Sequence, residues 1–278
     1  MIDLHTHTTF SDGTFTPEEL VALARERGLT VLAVTDHDST EGIGRAVAEA
    51  ADGGGPEIVP GVELSTVRDG HGIHVLAYWI DLDEGAFQAE LRRLRDDRFV
   101  RGEAMVRKLQ ELGYPISFER VREIAEGKNI VRPHVAQALV EAGVVDTVEE
   151  AFTPDLIKDG GRAYVEKHAL DPVDAVRLIK GTGGLAVVAH PGLHREGLGV
   201  PDEMIDELAG AGLDGIECAH PDHPPGAEAR YRAMARRFGL PATGSSDCHG
   251  TRFDPVRLGT VTTARAEFEA LRARRSAA

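Results

Sequence analysis

Six histidines and three carboxylates recur along this sequence where they could jointly hold divalent cations: His5, His7, Asp12, His37, Glu63, His74, His190, Asp247 and His249. Neutral imidazoles and carboxylates suit borderline ions such as Zn, Mn or Fe. A carboxylate can also bridge two such ions, and bound water loses a proton near neutral pH. Nine ligands are too many for one ion and suffice for three if Glu63 or Asp247 is shared. Taken singly, each residue has an ordinary explanation. A histidine near a strand end is more often a hydrogen-bonded structural residue than a ligand, and that reading holds for His71, His168 and His223. His-x-His arises easily from strand alternation, and Ser11-Asp12-Gly13-Thr14 is a good turn. The conjunction, six His and three acids recurring in order at strand ends, defeats the ordinary reading.

The elements that would position them are short apolar strands alternating with helices. Leu4 to Thr6 reads as a strand end, and Thr16-Pro17-Glu18-Glu19 opens a helix that stops at Gly28. Thr30–Thr35, Glu57–Leu64 and Ile73–Ile80 read as strands, with a helix near Thr40 to Ala51. Strands are expected again over residues 185–189, 215–218 and 241–245, separated by helices ending at Lys180 and spanning 201–211 and 226–238, with a terminal helix from Ala264. Side chains just past successive strand ends converge on one face of an α/β barrel, where such barrels place active sites. From about Asp83 to Asp171 the strand signal gives way to helical periodicity, with Leu91, Leu94, Val100, Met105, Leu109 and Leu112 at mixed three and four spacings and a stop at Gly113. The expected organisation is a metal-binding barrel from residues 1–82 and 172–278 and a helical insertion at 83–171.

His5-Thr-His7-Thr-Thr-Phe-Ser-Asp12-Gly, Thr35-Asp36-His37-Asp38, Gly61-Val-Glu63, Ala189-His190-Pro191 and Ser246-Asp247-Cys-His249 resemble the motif blocks of the polymerase and histidinol phosphatase (PHP) family. The resemblance spans nearly the whole chain outside the insertion. It implies a distorted (β/α)7 barrel with a helical insertion domain, two or three divalent ions (Mn, Fe or Zn), and phosphoester hydrolysis by water activated between the ions. By motif position it puts His5, His7, Glu63 and Asp247 on a first ion, Glu63, His74 and His190 on a second, and Asp12, His37 and His249 on a third. Family members often have His where Asp12 stands.

Arg132-Pro133-His134 in the insertion resembles the branch of this family that acts on nucleotides. Members of that branch remove the 3′-phosphate from nucleoside 3′,5′-bisphosphates, and relatives degrade short RNA from the 5′ end. The resemblance implies that Arg132 and His134 hold a substrate phosphate. A guanidinium fork matches phosphate oxygens, and Pro133 opens a helix whose free amides face an anion. Arg101 and Lys108, seven apart on one helix face, are further phosphate candidates. Arg92, Arg93 and Arg95 read as a solvated stripe. His194, four residues past His190 in a Gly-flanked loop, is the candidate proton donor or substrate-binding group. His220 belongs to the same rim without an assigned task.

The chain has 31 Lys and Arg against 46 Asp and Glu, a net charge of −15, which disfavours long nucleic acid. Between Arg92 and Arg132, 11 basic residues against 7 acidic ones leave a local +4 suited to a small phosphorylated substrate, a nucleotide or short RNA. No apolar run approaches the roughly 20 residues a membrane helix needs, and the first residues carry no secretory pattern, so the expected location is cytoplasmic. Cys218 and Cys248 are too few for a disulfide framework or a Cys-only zinc site, although one bridge is compatible with their spacing. Rival readings are a histidinol-phosphate-type phosphatase, an amidohydrolase acting on a C–N bond, and a non-catalytic metal-stabilised module that binds nucleic acid. Oligomeric state is not legible.

Overall fold

The computed structural model describes residues 1–125, 130–166, 170–194 and 199–276. His168 lies outside them, as do the final two residues, where fraying is expected. Seven strands form one nearly closed, barrel-shaped sheet in sequence order: β1 (Ile2–Asp3), β2 (Val31–Val34), β3 (Glu57–Arg68), β4 (His71–Tyr78), β5 (Leu185–Val188), β6 (Gly215–Ala219) and β7 (Ala242–Gly244). This is the distorted (β/α)7 barrel. Strands β1 to β3 are mutually parallel, as are β5 to β7, whereas β4 runs antiparallel to both neighbours. The reversal comes from Asp69-Gly70, a two-residue hairpin turn with φ of 53° and 77° at the two positions, which Asp tolerates and Gly adopts freely. A bridge between Thr6 and Cys248 joins the two ends of the sheet.

The helices among the described residues are α1 (Pro17–Glu26), α2 (Ile43–Gly53), α3 (Gly85–Glu111), α4 (Phe118–Ile124), α5 (Arg132–Glu141), α6 (Pro172–Gly181), α7 (Asp202–Gly210), α8 (Ala227–Phe238) and α9 (Arg265–Ala273). Their starts follow the capping chemistry. Thr16 Oγ1 accepts from Glu19 N at 3.2 Å while Glu19 Oε2 accepts from Thr16 N at 2.8 Å, and Asp171 caps α6 through Val173 N at 2.9 Å. Ser117 does the same for α4.

The strands bury both faces, as a sheet flanked by helices must. Val31 and Ala33 of β2 cluster with Ile2, Leu4, Val59, Leu76, Tyr78, Leu185 and Val187, which α9 completes with Phe268 and Leu271. Leu32 and Val34 face the other way, onto Leu20, Val21 and Ala24 of α1 and Ile43 and Ala46 of α2. Glu63 shares its face of β3 with Val59, and His74 shares its face of β4 with Leu76 and Tyr78, so strand alternation aims both polar groups to the same side as this first cluster.

The chain divides into two compact units, Met1–Ala89 with Ala169–Ala278, and Glu90–His168. The second has its own core, with Met105, Val106 and Leu109 of α3 against Val121, Ile130, Val135, Leu139, Leu156 and Ile157. One expected core residue is corrected. Val100 is 63% exposed, because the buried positions of α3 run through Leu91, Leu94, Gly102, Met105 and Leu109, and Val100 falls on the opposite side.

Candidate metal centre

The His5-Thr6-His7 segment is held on both sides. Thr6 Oγ1 donates to Ala33 O at 2.6 Å, and His7 N donates to Cys248 O at 2.9 Å. Below it, the buried Asp3 carboxylate, pushed up to about 6 by burial, accepts Ser246 N at 3.1 Å and Gly259 N at 2.9 Å, tying β1 to the Asp247 loop. The chain then turns back at Gly13, where an added Cβ would meet the His7 carbonyl oxygen at 2.4 Å, so only glycine fits. Asp36 pins this turn, accepting Thr8 N (2.7 Å), Thr8 Oγ1 (2.7 Å) and Ser11 Oγ (2.6 Å). The turn returns Asp12 to the histidines. His190 and Asp247 adopt left-handed backbone, φ 26° and 49°, which costs a non-glycine residue on the order of 1 kcal/mol or more.

All nine candidate residues come together. Ligand atoms lie within 4.8 Å of one another in four groups: His7, Asp12, His37 and His249; His5, His7 and Asp247; His5, Glu63 and His190; and His37, Glu63 and His74. Glu63 Oε2 is 3.3 Å from both His5 Nε2 and His7 Nε2, and Asp247 Oδ1 is 3.3 and 3.1 Å from the same two atoms. Glu63 Oε1 faces His74 Nδ1 at 2.7 Å and His190 Nε2 at 3.0 Å. Asp12 Oδ1 is 3.2 Å from His249 Nε2 and 3.9 Å from His37 Nε2.

His5 Nε2, His7 Nε2, Asp12 Oδ1, Glu63 Oε2 and Asp247 Oδ1 are buried polar atoms with no hydrogen-bond partner. Native interiors rarely leave such atoms unsatisfied. Five of them converging in one pocket, nitrogen beside carboxylate oxygen, is the donor set that divalent cations take.

The electrostatics agree. Burial opposes charge on His5 and His7, yet facing carboxylates outweigh it: His5 is held well above its ordinary value by Asp247, Glu217 and Glu63, and His7 is pushed up to about 10 by Asp247 and Glu63. Burial would raise Asp12, Glu63 and Asp247, but the surrounding imidazoles hold all three well below the usual carboxylate range. His74, for which burial dominates, is lowered to about 4. Imidazoles shifted in this direction give up protons when cations bind.

The remaining candidates lie outside these four groups. His194 Nδ1 is 3.0 Å from Gly72 O, and its ring is 5.5 Å from that of His71. Arg101, Lys108, Arg132 and His134 belong to the second unit. There Arg101 Nε donates to Val165 O (2.8 Å), Lys108 Nζ to Tyr164 O (2.5 Å) and Arg132 Nη1 to Asp159 Oδ1 (2.5 Å). His134 Nδ1 accepts Val131 N at 3.3 Å. His223 is structural, bonded to Cys218 O and Gly192 N. Cys218 and Cys248 are buried, unbridged thiols, pushed up to about 12 and 11 by burial. Glu217 was not among the candidates. It is fully buried on β6, against His5, and the signal for it is a lone acid inside an apolar strand, Gly215-Ile-Glu217-Cys-Ala.

A seven-stranded barrel carrying imidazoles and carboxylates just past β1, β2, β5 and β7, with Glu63 and His74 inside β3 and β4 rather than at their ends, has the make-up of a metal-dependent hydrolase. The PHP domain profile matches residues 3–117. The chain is 35% identical over 249 residues to a 3′,5′-nucleoside bisphosphate phosphatase of Chromobacterium violaceum, covering 89% of this chain and 87% of that one. It is 34% identical over 248 residues to the 5′-3′ exoribonuclease Rnm of Salmonella typhimurium, covering 89% and 84%. A crystal structure from Bifidobacterium adolescentis, described as a metal-dependent phosphoesterase, superposes with a TM-score of 0.90 at 33% identity over 98% of this chain and 96% of that one. The chain belongs to the PHP family and is a metal-dependent phosphoric ester hydrolase.

Proposed function

We propose that this phosphoesterase releases phosphate from small nucleotides, with nucleoside 3′,5′-bisphosphates as the leading substrate class and short oligoribonucleotides as the second. The observation that carries the reading is the convergence of buried, unsatisfied Glu63 Oε2 and Asp247 Oδ1 on His5 Nε2 and His7 Nε2. Two or three ions of Mn, Fe or Zn type would be held by His5, His7, Glu63 and Asp247, by Glu63, His74 and His190, and by Asp12, His37 and His249. Bound there, divalent cations supply Lewis-acid stabilisation of phosphoryl charge and a lowered pKa for water.

The protein's own groups complete the chemistry. His194, whose Nδ1 lies 3.0 Å from Gly72 O, is assigned the part of proton donor to the departing alkoxide. Burial, then the neighbouring Arg132 and Arg98, lower the Arg101 guanidinium to about 10, so this cationic cluster favours an anionic guest. His134, whose Nδ1 accepts from Val131 N, joins Arg132 in the assignment to a substrate phosphate. Lys108 adds a further cation.

The test is turnover by metal-reconstituted protein on four substrates: adenosine 3′,5′-bisphosphate, a 5′-phosphorylated short RNA, histidinol phosphate and a simple amide. The expected order places the bisphosphate first, the RNA second and the amide at background. Preference for histidinol phosphate or the amide would overturn the reading. A protein that binds metal and RNA without turning over any substrate would instead be the non-catalytic module.

A further inference from the structure

Strand β6 contributes none of the nine residues, yet two side chains, Glu217 within it and His220 just past its end, touch three of them. Glu217, fully buried, places Oε1 and Oε2 at 3.2 and 3.3 Å from His5 Nδ1, and its Oε2 accepts the backbone N–H of His190 at 2.6 Å. A carboxylate only accepts, so His5 donates Nδ1–H to it, and Nε2, which faces Glu63 and Asp247, is the nitrogen left for a cation. The same carboxylate holds His190 in its strained φ of 26°. His220, its side chain 1% exposed, is fixed in the opposite tautomer. Its Nδ1 accepts Asp222 N at 3.1 Å, which leaves Nε2–H to donate to Asp247 Oδ2 at 3.3 Å. That bond occupies one carboxylate oxygen and leaves Oδ1 facing His5 and His7.

We infer that Glu217 and His220 are positioning residues of the metal centre, setting the tautomer of His5, the backbone of His190 and the free oxygen of Asp247. The inference rests on the reading of the pocket as a metal site. Outer hydrogen bonds of this kind orient ligands and raise their basicity, and their loss costs about 10- to 100-fold in metal affinity.

The experiment uses the full chain, stripped of metal and titrated with Co2+, reading affinity by chelator competition and coordination by the visible absorption of bound cobalt. Glu217→Ala and Glu217→Gln, the latter losing the charge and setting an N–H donor in place of one carboxylate oxygen, should bind Co2+ about 10- to 100-fold more weakly with an altered spectrum. His220→Phe should do the same, whereas His220→Gln, whose amide N–H can still reach Asp247, should stay close to wild type. Circular dichroism establishes that each variant is folded. If the Glu217 variants do not fold, the contrast between His220→Phe and His220→Gln decides. Wild-type affinity and spectrum in the folded variants, or equal damage from the two His220 changes, would overturn the inference while leaving the metal site intact. Failure of wild type to take up Co2+ would overturn the site itself and this inference with it.

Discussion

Asp247 touches more of the pocket than its size suggests, with Oδ1 beside His5 and His7, Oδ2 on His220, and a left-handed backbone that places both. Asp247→Ala, and likewise His190→Ala, should therefore remove bound metal and lower kcat/KM by more than the roughly 100-fold expected of an outer positioning residue, measured with metal analysis alongside kinetics. Arg132 should behave differently. Arg132→Ala is expected to raise KM for a nucleotide substrate with metal content unchanged, and an unaltered substrate profile would remove it from the site. The shift of His7 gives a pH signature for metal-stripped protein. His7 stands at about 10 when folded against an ordinary 6.5, so its stabilising contribution is complete below about 6.5 and is lost as pH rises toward 10. The thermal midpoint of metal-stripped protein should thus decline over that window. Metal-loaded protein, with that proton already displaced, should not show the decline, and metal binding at pH 7 should release protons, seen as a buffer-dependent heat in calorimetry.

At the scale of elements, the loop after β1 is the most exacting. Gly13→Ala drives a Cβ into the His7 carbonyl, a backbone clash that no side-chain rotation relieves. A cost of about 1–3 kcal/mol in stability is expected, with weakened metal binding through displaced His7 and Asp12, both measurable by denaturant titration and metal competition. The ligand-bearing motifs were legible because their residue types are rare in strand-end positions and recur in order. Glu217 was not, since a mid-strand acid can point either way, and only the barrel's closure shows that it points inward to His5. The antiparallel β4 follows from Asp69-Gly70, a two-residue signal that is easy to pass over beside the apolar runs it joins. Val100 misled because spacing by threes and fours in a 27-residue helix fits more than one stripe, and tertiary packing selected the one through Gly102.

For the whole molecule, the metal centre doubles as a cross-link. Its residues come from the ends of most of the strands, so chelation should lower the thermal midpoint of the protein, and restoring divalent cation should recover it. An unchanged midpoint after exhaustive chelation would argue that the pocket is satisfied by protons alone. The second unit carries a separate apolar core, and its helices announce themselves by periodicity and by the Ser117 cap. What periodicity could not disclose is which of its cations pair internally: Arg132 with Asp159, and Lys108 and Arg101 with main-chain carbonyls.

The junction of Thr6 with Cys248 has a further consequence for biosynthesis. Partners so far apart in the chain can meet only after the ribosome has delivered the segment through Cys248, and such long-range pairings form slowly. A polypeptide that stops short of Asp247 therefore owns histidines but no complete cage, and acquires hydrolytic power only once that segment has emerged. The cell is spared a half-made hydrolase.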